Sequence, residues 1–129
     1  MTPIPAAAKL FLALGGAAAL LAVALGAFGA HGLKSRLPVD MLAVYQTGVQ
    51  YHFYHALGLV LIGLAVLHLP DSAALRTAGW LMAAGILLFS GSLYALALSG
   101  ERWLGAVTPI GGLAFLLGWA ALVWAALRA

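Results

Sequence analysis

Four histidines, four tyrosines and a few serines and threonines carry most of the chemical potential of this chain, which has no cysteine and three carboxylates. His52 and His55 are the densest signal. They stand at i, i+3 inside the run Tyr45-Gln46-Thr47-Gly48-Val49-Gln50-Tyr51-His52-Phe53-Tyr54-His55. Residues three apart can share a helix face, and imidazole both ligates metals and titrates near neutral pH. With His31 as a third donor, the pair suggests a metal or haem site, or a path for protons. No acid or thiolate joins them, however, and intramembrane proton relays usually include a buried carboxylate. Ser90-Gly91-Ser92 suggests a nucleophile with small neighbours and His55 as its base, yet serines in spans ordinarily bond to the preceding turn. Asp40, Asp71 and Glu101 fall between the apolar stretches, so no paired acid–base system is expected. Gly111-Gly112 lacks the lysine and strand context of a phosphate loop. The expectation is a protein that is not an enzyme and has no cofactor.

These residues must be positioned by membrane helices. Four uncharged stretches, 10–30, 41–70, 77–100 and 103–127, separate nine charged side chains, and 65% of the 129 residues are hydrophobic. Each stretch has enough apolar residues for a span, which takes roughly 20. The expected fold is all-α: a single domain over 1–129, an integral membrane four-helix antiparallel bundle with spans near 6–30, 44–69, 74–98 and 105–127. Span two is expected to begin after Pro38 with an interfacial, amphipathic turn or two, which Pro38 could also set apart as a short helix lying at the interface. Thr108-Pro109 reads as an N-cap followed by proline at the first helical position, with 103–107 as a lead-in unless Pro109 instead kinks a longer helix. Lys9 and the apolar stretch after it have the general look of a signal peptide, but the stretch is long for one, and retention is expected.

Small residues mark two packing seams, Gly15, Ala19, Ala22, Gly26 and Gly29 in span one and Gly111, Ala114, Gly118, Ala121 and Ala125 in span four. Such seams allow close backbone approach in lipid. Generic helix packing, a pairing of spans one and four, and a homo-oligomer all use them. Trp80 and Trp124 are expected as anchors near one membrane face, Tyr45 and Trp103 near the other. The six basic residues divide three against three between the two sides, so they set no orientation, although Lys34 and Arg36 lean towards a cytoplasmic loop. They lie at span ends, where lipid phosphates are the expected partners. No basic run points to nucleic acid.

Threading the spans up and down brings His31, Gln50, Tyr51, His52, Tyr54, His55, Ser90, Ser92, Tyr94 and Thr108 to one end. On span two, Thr47, Gln50, Tyr51, Tyr54 and His55 occupy one arc, with His52 some 60° beyond His55 at about 100° per residue. Unpaired polar groups in lipid cost several kcal/mol, so the arc is expected to face protein or water, with His55 about 13 Å below the surface. The ten residues form a candidate pocket with four readings: a hydrogen-bonded knot that fixes register, a lipid headgroup or amphiphile site helped by the N-terminus of span four, a proton or ion path, or a metal centre. His68 stands alone at the other end.

Gly26-Ala27-Phe28-Gly29-Ala30-His31-Gly32-Leu33, Tyr51-His52-Phe53-Tyr54-His55-Ala56, Leu88-Phe89-Ser90-Gly91-Ser92-Leu93-Tyr94 and Thr108-Pro109-Ile110-Gly111-Gly112 resemble, in order and spacing, one family. It is the small four-span membrane family known as domain of unknown function 423, with bacterial YgdD-like proteins and the eukaryotic transmembrane protein 256 group among its members. The resemblance implies an integral protein of the bacterial inner membrane. It supplies no established activity and no catalytic residues to carry over. Its motifs coincide with the polar end.

Overall fold

A computed structural model describes residues 3–129. Helix α1 (Ala6–Phe28) runs into a π-helical turn, Gly29–Leu33; α2 is Val39–His68; α3 (Ala73–Gly85), a π turn (Ile86–Ser90) and α4 (Gly91–Ser99) form one rod; a 3-10 turn, Arg102–Ala106, leads into α5, Thr108–Arg128. These make four helices long and apolar enough to cross a membrane: Ala6–Leu33, Val39–His68, Ala73–Ser99 and Arg102–Arg128. The protein is all-α, a four-span membrane fold.

Local chemistry explains the ends. Ser72 caps span three by accepting from the Leu75 N–H at 3.2 Å. Gly100 closes the same span with φ +75, a conformation that costs glycine little, and its N–H bonds to the Leu96 carbonyl at 2.8 Å. Span two starts at Val39 and is unbroken, so Pro38 opens the span itself and no separate interfacial helix forms. Span four departs from the N-cap expectation. Val107, in helical conformation, holds the cap position, Thr108 is already helical, and Pro109 lies in the first turn. Pro109 therefore starts the helix after a 3-10 lead-in.

The spans pack as sequence neighbours, one on two, two on three and three on four. The small-residue seams serve these contacts. Gly15 lies against Val60 and the Ala56 carbonyl, and Gly63 of span two against Leu12. Span four lays Gly111 on the backbone of Leu88 and Phe89, where any Cβ would collide. Spans one and four form no comparable interface, so the pairing entertained for them is not the one made. At the end bearing the termini, Phe11, Leu59, Ile62, Leu75, Met82 and Ala125 join one apolar core from all four spans. At the other end the core narrows to Leu33, Tyr45 and Ala97 with half-buried neighbours. Tyr45 is thus a core residue and no interfacial anchor: it is 1% exposed, and its hydroxyl donates to the Leu25 carbonyl at 2.5 Å. Trp80, Trp103 and Trp124 are exposed, as anchors are.

Candidate functional site

Span two is 30 residues long, about 45 Å at 1.5 Å per residue. His55 is sixteen residues beyond Val39, about 24 Å along, and so sits near the middle of the helix. His55 thus lies sixteen residues into the helix, further than a start near 44 implied, because the helix begins at Val39. His52 and His55 are 2% and 5% exposed, and they face different neighbours.

His52 turns towards spans one and three. Its Nδ1 meets the Tyr94 hydroxyl at 2.8 Å, and the Tyr94 ring lies 5.3 Å from that of Tyr45. Above it, an open groove of about 420 Å³ runs between spans one and three, lined by Leu14, Ala18, Leu21, Ile86 and Tyr94. Nearby, Ser90 donates to the Gly48 carbonyl at 2.7 Å and ties span three to span two.

His55 turns towards span four. Trp119 donates its indole N–H to His55 Nε2 at 3.1 Å, and His55 Nδ1 bonds to the Tyr51 carbonyl at 2.6 Å. Because indole only donates and a carbonyl only accepts, the proton must sit on Nδ1 and the ring must be neutral. Phe115 stacks on this imidazole with centroids 3.4 Å apart and planes within 9°. The π turn of span three brings Phe89 between Tyr51, at 4.8 Å, and Phe115, at 5.4 Å. Together these rings floor a second groove of about 820 Å³ between spans two and four, lined also by Tyr54, Gly112 and Trp119.

The ten residues grouped from sequence therefore divide. His52, Tyr94 and Ser90 tie spans two and three on one side; Tyr51, Tyr54 and His55 line the groove on the other. Ser92 and Thr108 share a 2.6 Å bond that ties span four to span three, and Ser92 also donates to the Phe89 carbonyl at 2.9 Å. His31 is exposed in the π turn that ends span one, apart from both sides. Gln50 is exposed on the outer face of span two, its amide donating to the Tyr54 hydroxyl at 2.6 Å. Thr47 is exposed beside it and donates to the Ala43 carbonyl at 3.0 Å. The arc expected to face protein or water thus reaches the outer surface of the helix, because its two edges differ: His55 turns in and Gln50 turns out. His68 lies exposed at the opposite end.

This geometry bears on the chemical readings. Both nitrogens of His55 are engaged, leaving no lone pair for a metal and no open position for a passing proton. His52 and His55 open onto different grooves, so they do not converge on one ion. Ser90 donates to Gly48, and the His55 lone pair a base would use is held by Trp119. At span four, Pro109 has no N–H, and those of Val107, Ile110 and Gly111 already bond to the Leu104 and Val107 carbonyls. That end presents little to a phosphate.

Trp119, Phe115 and Phe89 complete the His55 site, and sequence reasoning missed them. A signal existed for Trp119: the other three tryptophans sit towards span ends, while Trp119 falls mid-span, where its N–H needs a partner.

Fold and site together define a small multi-span membrane protein with two open grooves, each lined by one histidine of the same helix. The chain belongs to the family described as "Protein of unknown function (DUF423)", whose profile matches residues 25–112. It is 53% identical over 120 residues to the UPF0382 membrane protein YwdK of Bacillus subtilis, covering 93% of this chain and 98% of the relative. It is 48% identical over 115 residues to the UPF0382 membrane protein SH2409 of Staphylococcus haemolyticus, covering 89% and 93%. No solved structure matches it.

Proposed function

We propose that this is a non-enzymatic protein of the bacterial inner membrane that holds the tail of an amphiphilic lipid in the groove between spans two and four. The single observation behind this reading is the floor of that groove. His55 is fixed as a neutral ring by Tyr51 and Trp119 and sandwiched with Phe115, so it acts as an aromatic wall. Around it Tyr51, Phe89, Phe115 and Trp119 give an apolar, stiff lining, the usual character of a site for a small hydrophobic ligand. The groove opens on the outer face of the helices, where the surrounding medium is itself lipid. The His52 side of the cluster serves packing, since its polar groups are spent on span-to-span bonds.

Native mass spectrometry of the protein released from mild detergent tests this. The wild type is expected to keep a lipid-sized adduct. Gly112→Leu should remove it by filling the groove, with little change in melting, because a Cβ at this position meets Phe89 only at 3.8 Å. Equal adducts on both proteins would mean that the lipid binds elsewhere.

A further inference from the structure

The outer face of span two carries a second pattern, independent of the groove's contents. Thr47, Gln50, Tyr54, Leu57, Leu61 and Leu64 are all exposed, and they follow one another at spacings of three, four, three, four and three. That alternation, averaging about 3.5 residues, is the seam of a left-handed helix pair. Span one borders this face only at Gln50, which edges a shallow groove with Gly26, Gly29 and Ala30; Tyr54, Leu57, Leu61 and Leu64 are exposed beyond it.

Leucines alone on such a face would suit lipid. Gln50 does not. It lies eleven residues beyond Val39, about 16 Å along a helix of about 45 Å, so a hydrocarbon core of about 30 Å centred on this helix would enclose it. Its one side-chain hydrogen bond among the described residues goes to Tyr54. A primary amide offers two N–H groups and a carbonyl, so a donor and an acceptor keep no partner among the described residues, and in lipid such unpaired groups cost several kcal/mol. A second amide would satisfy both, because the group is its own complement.

We propose that two copies of the chain pair in parallel along this face, Gln50 meeting Gln50 across a two-fold axis normal to the membrane. Two-fold symmetry brings each residue of the seam opposite its own copy. Side-chain hydrogen bonds between helices are a recognised source of association in lipid. The small-residue seams of spans one and four are spent inside the chain and do not compete for this role.

The absence of cysteine allows a direct test. Single variants Thr47→Cys, Leu57→Cys, Leu61→Cys and Leu64→Cys are oxidised with copper phenanthroline in native membranes and compared with Leu20→Cys and Leu116→Cys, which are exposed on spans one and four. The expected result is disulfide-linked dimer at the seam positions along the whole helix and little at the two controls. Yields no higher than the controls would overturn the proposal. So would linkage confined to the middle of the helix, the mark of antiparallel copies. Adding Gln50→Leu to Leu61→Cys should lower the dimer fraction about three- to tenfold, in line with the strength of interhelical polar bonds in membranes. An unchanged fraction would remove Gln50 from the account. Melting of the double variant in detergent checks that the fold is kept.

Discussion

His52 and His55 are three residues apart on one helix, equally buried, and set in unlike surroundings. His52 is held by the Tyr94 phenol, with the Ala18 backbone of span one beside its ring, beneath a groove with largely aliphatic walls. His55 is held at both nitrogens and stacked on a ring beneath a groove walled by aromatics. The pair sharing a face on paper is split because three residues advance about 300° around a helix, leaving 60° between the side chains. At that angle, one histidine falls between spans one and three and the other between spans two and four. In a row of helices packed as sequence neighbours, a difference of one side-chain position selects a different neighbour.

The largest effect expected from breaking this comparison comes from the contact that builds the His55 side. Gly111→Leu pushes a side chain into the backbone of the π turn that carries Phe89. It should cost about 3 kcal/mol, as overpacking does, seen as a large drop in melting temperature in detergent. Gly112→Ala should melt like the wild type, and equal losses for the two would mean that span four does not press on the turn. Next, His55→Ala should cost about 2 kcal/mol, combining a cavity with an unpaired Trp119 N–H. His52→Ala, which loses one bond to Tyr94, should cost about 1 kcal/mol. Similar values for the two would erase the contrast between the sides. Trp119→Phe should cost about 1 kcal/mol and loosen the His55 tautomer, which nitrogen NMR reads as a loss of the pure Nδ1–H signature. The smallest change is expected for Ser92→Ala, about 0.6 kcal/mol, the average for interhelical hydrogen bonds in a membrane.

Much of the architecture was legible from residue types. Four long uncharged stretches in a chain this small exceed what a soluble core can bury, and in lipid they are stable as helices; the seams at Gly15 and Gly111 mark where backbones approach closely. The motif at 51–56 contains both buried histidines of span two. Less legible were the partners. Tyr45 reads as an anchor because tyrosine favours interfaces, yet its hydroxyl finds the Leu25 carbonyl and the ring goes inside. Thr108 reads as a cap because threonine often is one, yet a 3-10 turn precedes it and its hydroxyl bonds to Ser92 instead. Gln50 reads as facing protein or water because an amide in lipid is costly, yet it lies exposed on the outer side of span two. Each reading follows a local preference, and each was overridden by which span came to lie alongside.

The sequence by itself determined four crossings, their close-packing faces and the concentration of polar groups on the second, because burial of apolar length and hydrogen bonding within each helix are local matters. Only the tertiary structure decided that the histidines serve two grooves, that Trp119 and Phe115 lock one of them, and that the face bearing Gln50 is left uncovered. Those outcomes depend on the order in which helices pack side by side, and that order is set by contacts between residues as far apart in the chain as His55 and Trp119.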